Sequence, residues 1–271
     1  MTTVAQKRAD FAALHQEGCF VIPNPWDIGS AIALQSLGFK ALATTSAGMA
    51  WAMGRPDGGV SRAGVLAHLR AVSAAVHIPV NADFEGGFAD EPEGVADSVT
   101  LAIETGIAGL SVEDSTGNPA NPLYDFTLAV ERIAAARHAI GASGVLLTAR
   151  HEGFIRGRPD MEETLRRLRA FSEAGADCLY APGLRTEIEI ATVVREVAPK
   201  PVNVLAPGIP VARLAELGAR RISVGGSLAR AAWGEFLRAA KEIADQGTFT
   251  AFQRGAPGGE LNGLFEGRGE G

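Results

Sequence analysis

Only two cysteines occur in the 271 residues, Cys19 and Cys178, and both sit in apolar, strand-like runs. That excludes a disulfide framework and fits a reducing, cytoplasmic interior. Long apolar runs are missing too: no uninterrupted segment approaches the roughly 20 residues a membrane-spanning helix needs. Residues 1–16, MTTVAQKRADFAALHQ, lack the apolar stretch of a signal peptide and read as an amphipathic helix. Clustered positive charge is scarce. There are 25 basic against 31 acidic residues, with no basic run and no basic–aromatic cluster, so neither nucleic acid nor a membrane is an expected partner. A dinucleotide fingerprint is absent as well, because the turn after the first strand-like run reads PNPWDIGS and not GxGxxG.

What is present is regular alternation. Strand-like runs at 19–23, 41–45, 78–83, 109–113, 145–150, 178–181, 201–206 and 221–225 alternate with helical patterns at 30–37, 62–76, 93–105, 128–140, 161–174, 186–197, 210–217 and 228–245. In one of these helices Asp160 is placed to cap the first turn, with Glu163 at the reciprocal position of a capping box and Gly175 as the stop. Eight such repeats with 46% hydrophobic residues predict a closed (β/α)8 TIM-type barrel. No linker divides the chain, so residues 1–254 read as one domain. Residues 255–271, GAPGGELNGLFEGRGEG, read as a flexible glycine-rich tail whose Leu261, Leu264 and Phe265 are able to dock on a neighbour.

Barrel chemistry sits at the carboxyl ends of the strands, and polar residues gather there. The run Val80-Asn81-Ala82-Asp83-Phe84-Glu85 ends in two carboxylates two residues apart, which point the same way while the chain stays extended. Asp57 follows the second strand and Glu113 ends the fourth. Four acids from three successive loops suit a hard cation, Mg²⁺ or Mn²⁺, with one carboxylate bound directly and the rest acting through water. The plainer alternative is that they cap helices or stand solvated. Thr45, Ser46, Ala47 and Gly48 end the second strand and are small enough for their amides to approach an anion. Arg150, with a fork suited to carboxylates, ends the fifth strand beside His151, and Asn203 lies in the seventh. The set is what a 2-oxo acid requires: a cation for its carboxylate and keto oxygens, and Arg150 for its negative end.

PNPWDIGSA, TTSAG, PDGGVS, PVNADFEGGF, GLSVEDS, LLTAR and SVGG together resemble the isocitrate lyase/phosphoenolpyruvate mutase superfamily over roughly residues 5–245. The resemblance implies a (β/α)8 barrel with Mg²⁺ or Mn²⁺. It also implies a carboxyl-terminal helix swapped onto a neighbouring barrel in a homodimer or homotetramer. It assigns Asp83 as direct metal ligand, Asp57, Glu85 and Glu113 as outer ligands, and Ser46, Ala47 and Arg150 as substrate contacts. Two departures bear on the reaction. The loop at 115–125, STGNPANPLYD, has neither the cysteine of the lyase gating segment nor the lysine of phosphonate-acting members. After the sixth strand the lyase glutamate is replaced by Ala181-Pro182-Gly183. The expected activity is a Mg-dependent carbon–carbon lyase acting on a 2-oxo acid or a malate-type dicarboxylate through an enolate. A phosphonopyruvate hydrolase or mutase and a non-catalytic 2-oxo acid binder are the alternatives. Candidate proton donors are His151 and Tyr124.

Overall fold

The computed structural model describes residues 2–266. Eight short parallel strands form one sheet: β1 (Phe20–Ile22), β2 (Leu42–Ala43), β3 (Val80–Asp83), β4 (Gly109–Glu113), β5 (Leu146–Arg150), β6 (Cys178–Tyr180), β7 (Val202–Leu205) and β8 (Arg221–Ser223). Their order, β1-β8-β7-β6-β5-β4-β3-β2, brings the two end strands together, and Ala43 N donates to Pro23 O at 3.0 Å across the seam. This is a (β/α)8 barrel, as the alternation predicts. The strands are buried on both sides, which is why they read as continuous apolar runs and not as alternating ones.

The surrounding helices are α1 (Val4–Leu14), α2 (Ile28–Ser36), α3 (Ser46–Ala52), α4 (Arg62–Ala75), α5 (Pro92–Ile103), α6 (Phe126–Ile140), α7 (Met161–Glu173), α8 (Glu187–Glu196), α9 (Val211–Glu216), α10 (Ser227–Gln246) and α11 (Gly258–Phe265). Side-chain caps set many of their starts: Asp27, Thr45, Ser61, Asp160 and Thr186 each accept from an amide of the first turn. The reciprocal half of the box expected at Asp160 does not form. Glu163 turns instead to Arg166 and Arg167, because charged partners outbid a neutral amide.

α1 closes the amino end of the barrel. Phe11 is fully buried against Ile22, Ala41, Ala43 and Ala108, a burial that contributes about 1.5–3 kcal/mol. A Cβ at Gly109 would stand 2.5 Å from the Phe11 ring, so this strand position must be glycine for the plug to seat. Lys7 donates to Ser73 O and Val76 O, and Arg8 to Ile107 O, Ser143 O and Ile103 O, which fixes the helix to the barrel rim.

Two parts depart from the sequence reading. The small residues after β2, read as an open anion cradle, form helix α3 with Thr45 as its cap. Part of the tail read as flexible is helical: α11 starts after Pro257 and places the Phe265 ring against Gly29 of α2. Leu261, Leu264 and Phe265, at helical spacing, supply the apolar side that the glycine count obscures. The rest of that tail, residues 267–271, lies outside the described residues. Between these ends, α10 keeps little but Ala229 buried and leaves Phe236, Leu237 and Ile243 exposed. Among the described residues no helix is long and apolar enough to cross a membrane.

Candidate active site

The carboxyl ends of the strands surround a cavity of about 540 Å³ bordered by Ser46, Asp57, Glu85, Glu113, Arg150 and Arg156, with Asp90 and Tyr124 on one side. The loop after β3 forms one wall. Its direction depends on Glu85 and Phe88, two non-glycine residues with positive φ (48° and 58°). Such backbone is costly and persists only where its surroundings hold it. Here the holder is Arg132 of α6, which is buried and donates to Gly86 O, Ala89 O (2.5 Å) and Asp90 O (2.5 Å). The Arg132 guanidinium also lies 4.0 Å from the Tyr124 ring centroid, while the Tyr124 hydroxyl donates to Asp90 at 2.5 Å. Burial, then that bond, pushes Tyr124 up to about 12, so it keeps its proton.

Asp83, the last residue of β3, contacts two residues that border this cavity. Its Oδ2 accepts from Ser46 N at 2.9 Å, and its Oδ1 pairs with Arg150 Nη1 at 3.3 Å. Arg150 also reaches Glu113 Oε2 at 3.4 Å and, through Nε, Glu152 Oε1, and it lies 5.3 Å from the Tyr180 ring centroid. The carboxylates outnumber the cations that face them. Glu85 is pushed up to about 7, first by burial and then by the charges of Asp83 and Asp57. Glu113 is pushed up to about 8, first by burial, with Arg150 opposing and Glu152 and Asp83 adding to the rise. Such a surplus of crowded oxygens favours a cation. Among the described residues no three acids or histidines stand close enough to cage a bare ion. A hydrated hard cation, with one carboxylate in direct contact and the others reached through water, fits that spacing and an oxygen-only donor set; a tetrahedral zinc does not.

The structure therefore brings Asp57, Asp83, Glu85, Glu113, Ser46 and Arg150 to one mouth, and it places five other candidates differently. Thr45 spends its hydroxyl on Gly48 N (3.3 Å) as a helix cap. Ala47 and Gly48 lie in the first turn of α3, where a Cβ on Gly48 would sit 2.9 Å from Trp26 Cβ and 3.1 Å from Ala229 Cβ. That glycine serves packing and not anion approach. Asn203 is buried inside the barrel, with its amide engaged by Ser223 Oγ (3.0 Å) and Arg221 Nε (2.8 Å). His151 faces away from the cavity. Its Nδ1 pairs with Asp114 Oδ2 at 2.7 Å, and Arg167 shares that oxygen at 3.0 Å. The reason is alternation: the neighbour of an inward Arg150 points outward. His151 therefore belongs to the Asp114–Arg167 cluster and not to the acids of the mouth.

Three contributors have no role assigned from the sequence, although Asp114 and Glu152 stand at strand ends there. Glu152 is fully buried and orients Arg150; its signal was the i, i+2 relation to that arginine. Asp114 fixes the turn by accepting from Glu152 N at 2.9 Å. Arg156 comes from an irregular turn that no periodicity marks.

The phosphoenolpyruvate phosphomutase family model matches residues 11–244. A Burkholderia cenocepacia protein of known structure, named provisionally as a lyase/mutase, is 47% identical, with a TM-score of 0.93 over 97% of this chain and 96% of that one. The uncharacterized Mycobacterium tuberculosis protein Rv1998c is 37% identical over 79% of this chain and 81% of its own. The 2-methylisocitrate lyase of Escherichia coli is 29% identical over 65% of this chain and 62% of its own. With the barrel, the acids of its mouth and this match along most of its length, the chain belongs to the phosphoenolpyruvate phosphomutase family, within a superfamily of lyases and mutases.

Proposed function

We propose that the mouth binds a divalent cation, Mg²⁺ or Mn²⁺, together with a 2-oxo acid or malate-type dicarboxylate, and that the enzyme cleaves a carbon–carbon bond beside the carbonyl. The observation that carries this reading is that Asp57, Glu85, Glu113 and Arg150 border one cavity and that Asp83 is paired with that same Arg150. Asp83 is the direct ligand in this reading, and the other three acids hold its water. The bound cation supplies positive charge where an enolate oxygen develops negative charge.

The chain's own groups do the rest. Arg150 is held by Glu152, Glu113 and Asp83 and so presents a fixed fork to the substrate carboxylate. Tyr124 borders the cavity and retains its proton, which makes it the side chain placed to protonate the departing carbon, whereas His151 is turned away. Phosphonate chemistry is the less supported alternative, since the 115–125 loop has no lysine.

Purified protein with Mg²⁺ is expected to release a 2-oxo acid from oxaloacetate or a 2-methylmalate-type diacid, and Asp83→Ala to abolish release. Turnover that survives both EDTA and Asp83→Ala would falsify the reading. The same reading includes a homo-oligomer in which the exposed side of α10, with Phe236, Leu237 and Ile243, covers a second copy. Light scattering after chromatography tests this; a wild-type protein that runs as a monomer ends it.

A further inference from the structure

The proposed chemistry leaves one arginine of the mouth without a task. Arg150 and Arg156 alternate with Glu113 and Glu152 in a closed ring. Arg150 takes Glu152 Oε1 and Glu113 Oε2 (3.4 Å), while Arg156 takes Glu152 Oε2 (3.2 Å) and Glu113 Oε1 (3.4 Å). Each carboxylate thus gives one oxygen to each guanidinium. The two arginines differ in access. The Arg150 side chain is 16% exposed and the Arg156 side chain 40%, and both border the same cavity.

Arg156 is not a loose surface residue. Its turn is closed by Arg156 N donating to Glu152 O (3.0 Å) and Arg158 N to Gly153 O (2.8 Å). Its ion pairs use Nε and Nη2, and no hydrogen bond within the described residues uses Nη1. A planar fork with unused donors, facing a cavity that already holds one arginine, suits a second carboxylate. Both guanidiniums reach opposite oxygens of the single Glu113 carboxylate, so the two anionic ends they hold together must be joined by a short carbon chain.

We infer that Arg156 is a specificity-determining residue that grips the distal carboxylate of the substrate, so that the site selects short dicarboxylates over monocarboxylic 2-oxo acids. This rests on the proposed function and deepens it. On binding, Arg156 exchanges its 3.4 Å contact with Glu113 for the ligand and keeps Glu152 through Nε. A purely structural Arg156 would instead serve only to neutralise Glu113 and Glu152, and would affect every ligand alike.

The test is calorimetry on the full-length protein loaded with Mg²⁺, using two ligands. Oxalate, whose two adjacent carboxylates stand in for the carboxylate and enolate oxygens of a monocarboxylic 2-oxo acid, fills the Arg150 end and has no carboxylate beyond it. 3,3-Difluorooxaloacetate adds the distal carboxylate and cannot enolise toward C3. Arg156→Gln should weaken difluorooxaloacetate at least tenfold and leave oxalate within twofold, while Arg156→Lys, which keeps the charge and loses the fork, should fall between. Should the Gln variant melt early, the Lys variant carries the same comparison. Equal losses for both ligands, or no loss for either, overturn the inference and leave the proposed function standing. A wild-type protein that binds neither ligand with Mg²⁺ present overturns the functional reading, and the inference goes with it.

Discussion

Arg221 and Arg150 stand at opposite ends of the barrel and are satisfied in opposite ways. At the amino end, Arg221 is buried among neutral partners: Nε donates to Asn203 Oδ1 (2.8 Å), Nη2 to Thr148 Oγ1 (3.0 Å), and Nη1 faces His15 Nε2 at 3.4 Å. His15 is held down to about 3, first by burial and then by Arg221, so it stays neutral. At the carboxyl end, Arg150 sits among Asp83, Glu113 and Glu152, with Glu85 and Asp57 close by. The lower end is a finished hydrogen-bond network that ties α1 to the sheet. The upper end holds unbalanced charge, the pattern of a functional site and not of a structural one. One barrel thus separates stability from chemistry by the kind of partner given to a buried arginine.

The largest expected effect breaks the upper end. Asp83→Ala should lower Mg²⁺-dependent turnover at least about 1,000-fold, the scale of losing one direct electrostatic contact to the reacting charge, with the melting temperature little changed. A matching loss of folding would show that Asp83 belongs to the structural half.

Next in size, Arg221→Met should cost about 2–4 kcal/mol of stability, because Asn203 and Thr148 lose their partner inside the barrel. Denaturant unfolding measures it; activity per folded molecule should stay within a few-fold. A large drop in that specific activity would erase the division between the two ends.

The pH response sharpens the contrast further. A carboxyl raised in the fold above its ordinary 4.5 favours folding only when protonated. Stability without metal should therefore fall as pH rises from about 4.5 through about 7 for Glu85 and about 8 for Glu113, then level off. Added Mg²⁺ should raise the melting temperature more at pH 8.5 than at pH 6, since protons compete for the same oxygens. Glu113→Gln should flatten the metal-free profile and weaken Mg²⁺ binding. A pH-independent Mg²⁺ effect would count against the acids as its site.

The smallest effect is expected for His151→Gln: about 1 kcal/mol of stability through the lost Asp114 contact, with turnover within about threefold. A hundredfold loss of turnover would return His151 to the catalytic set.

The barrel and most of its acids were legible because their signals are local. An apolar run bounded by glycine or proline reads as a strand without knowledge of its neighbours, and an acid after such a run falls at the mouth. Alternation along β5 already sets His151 opposite to Arg150, and its pairing with Asp114 agrees with that. Gly48 was read for what a glycine permits, whereas contact with Trp26 and Ala229 decides its use. The helical part of the tail was hidden because glycine content weakens a propensity signal that docking against α2 overrides.

Strand and helix periods, two and 3.6 residues, are written into consecutive residues, so the sequence alone determined the eightfold repeat and the acids at the strand ends. Only the tertiary structure decided that Arg156 closes a ring with Glu113, Glu152 and Arg150, that Arg132 braces the β3 loop, and that Thr45 and Asn203 are engaged elsewhere. Past the last hydrogen bond of a strand the chain's direction is set by what packs against it. Charge balance at the mouth is likewise a sum over loops far apart in sequence, which no window along the chain contains.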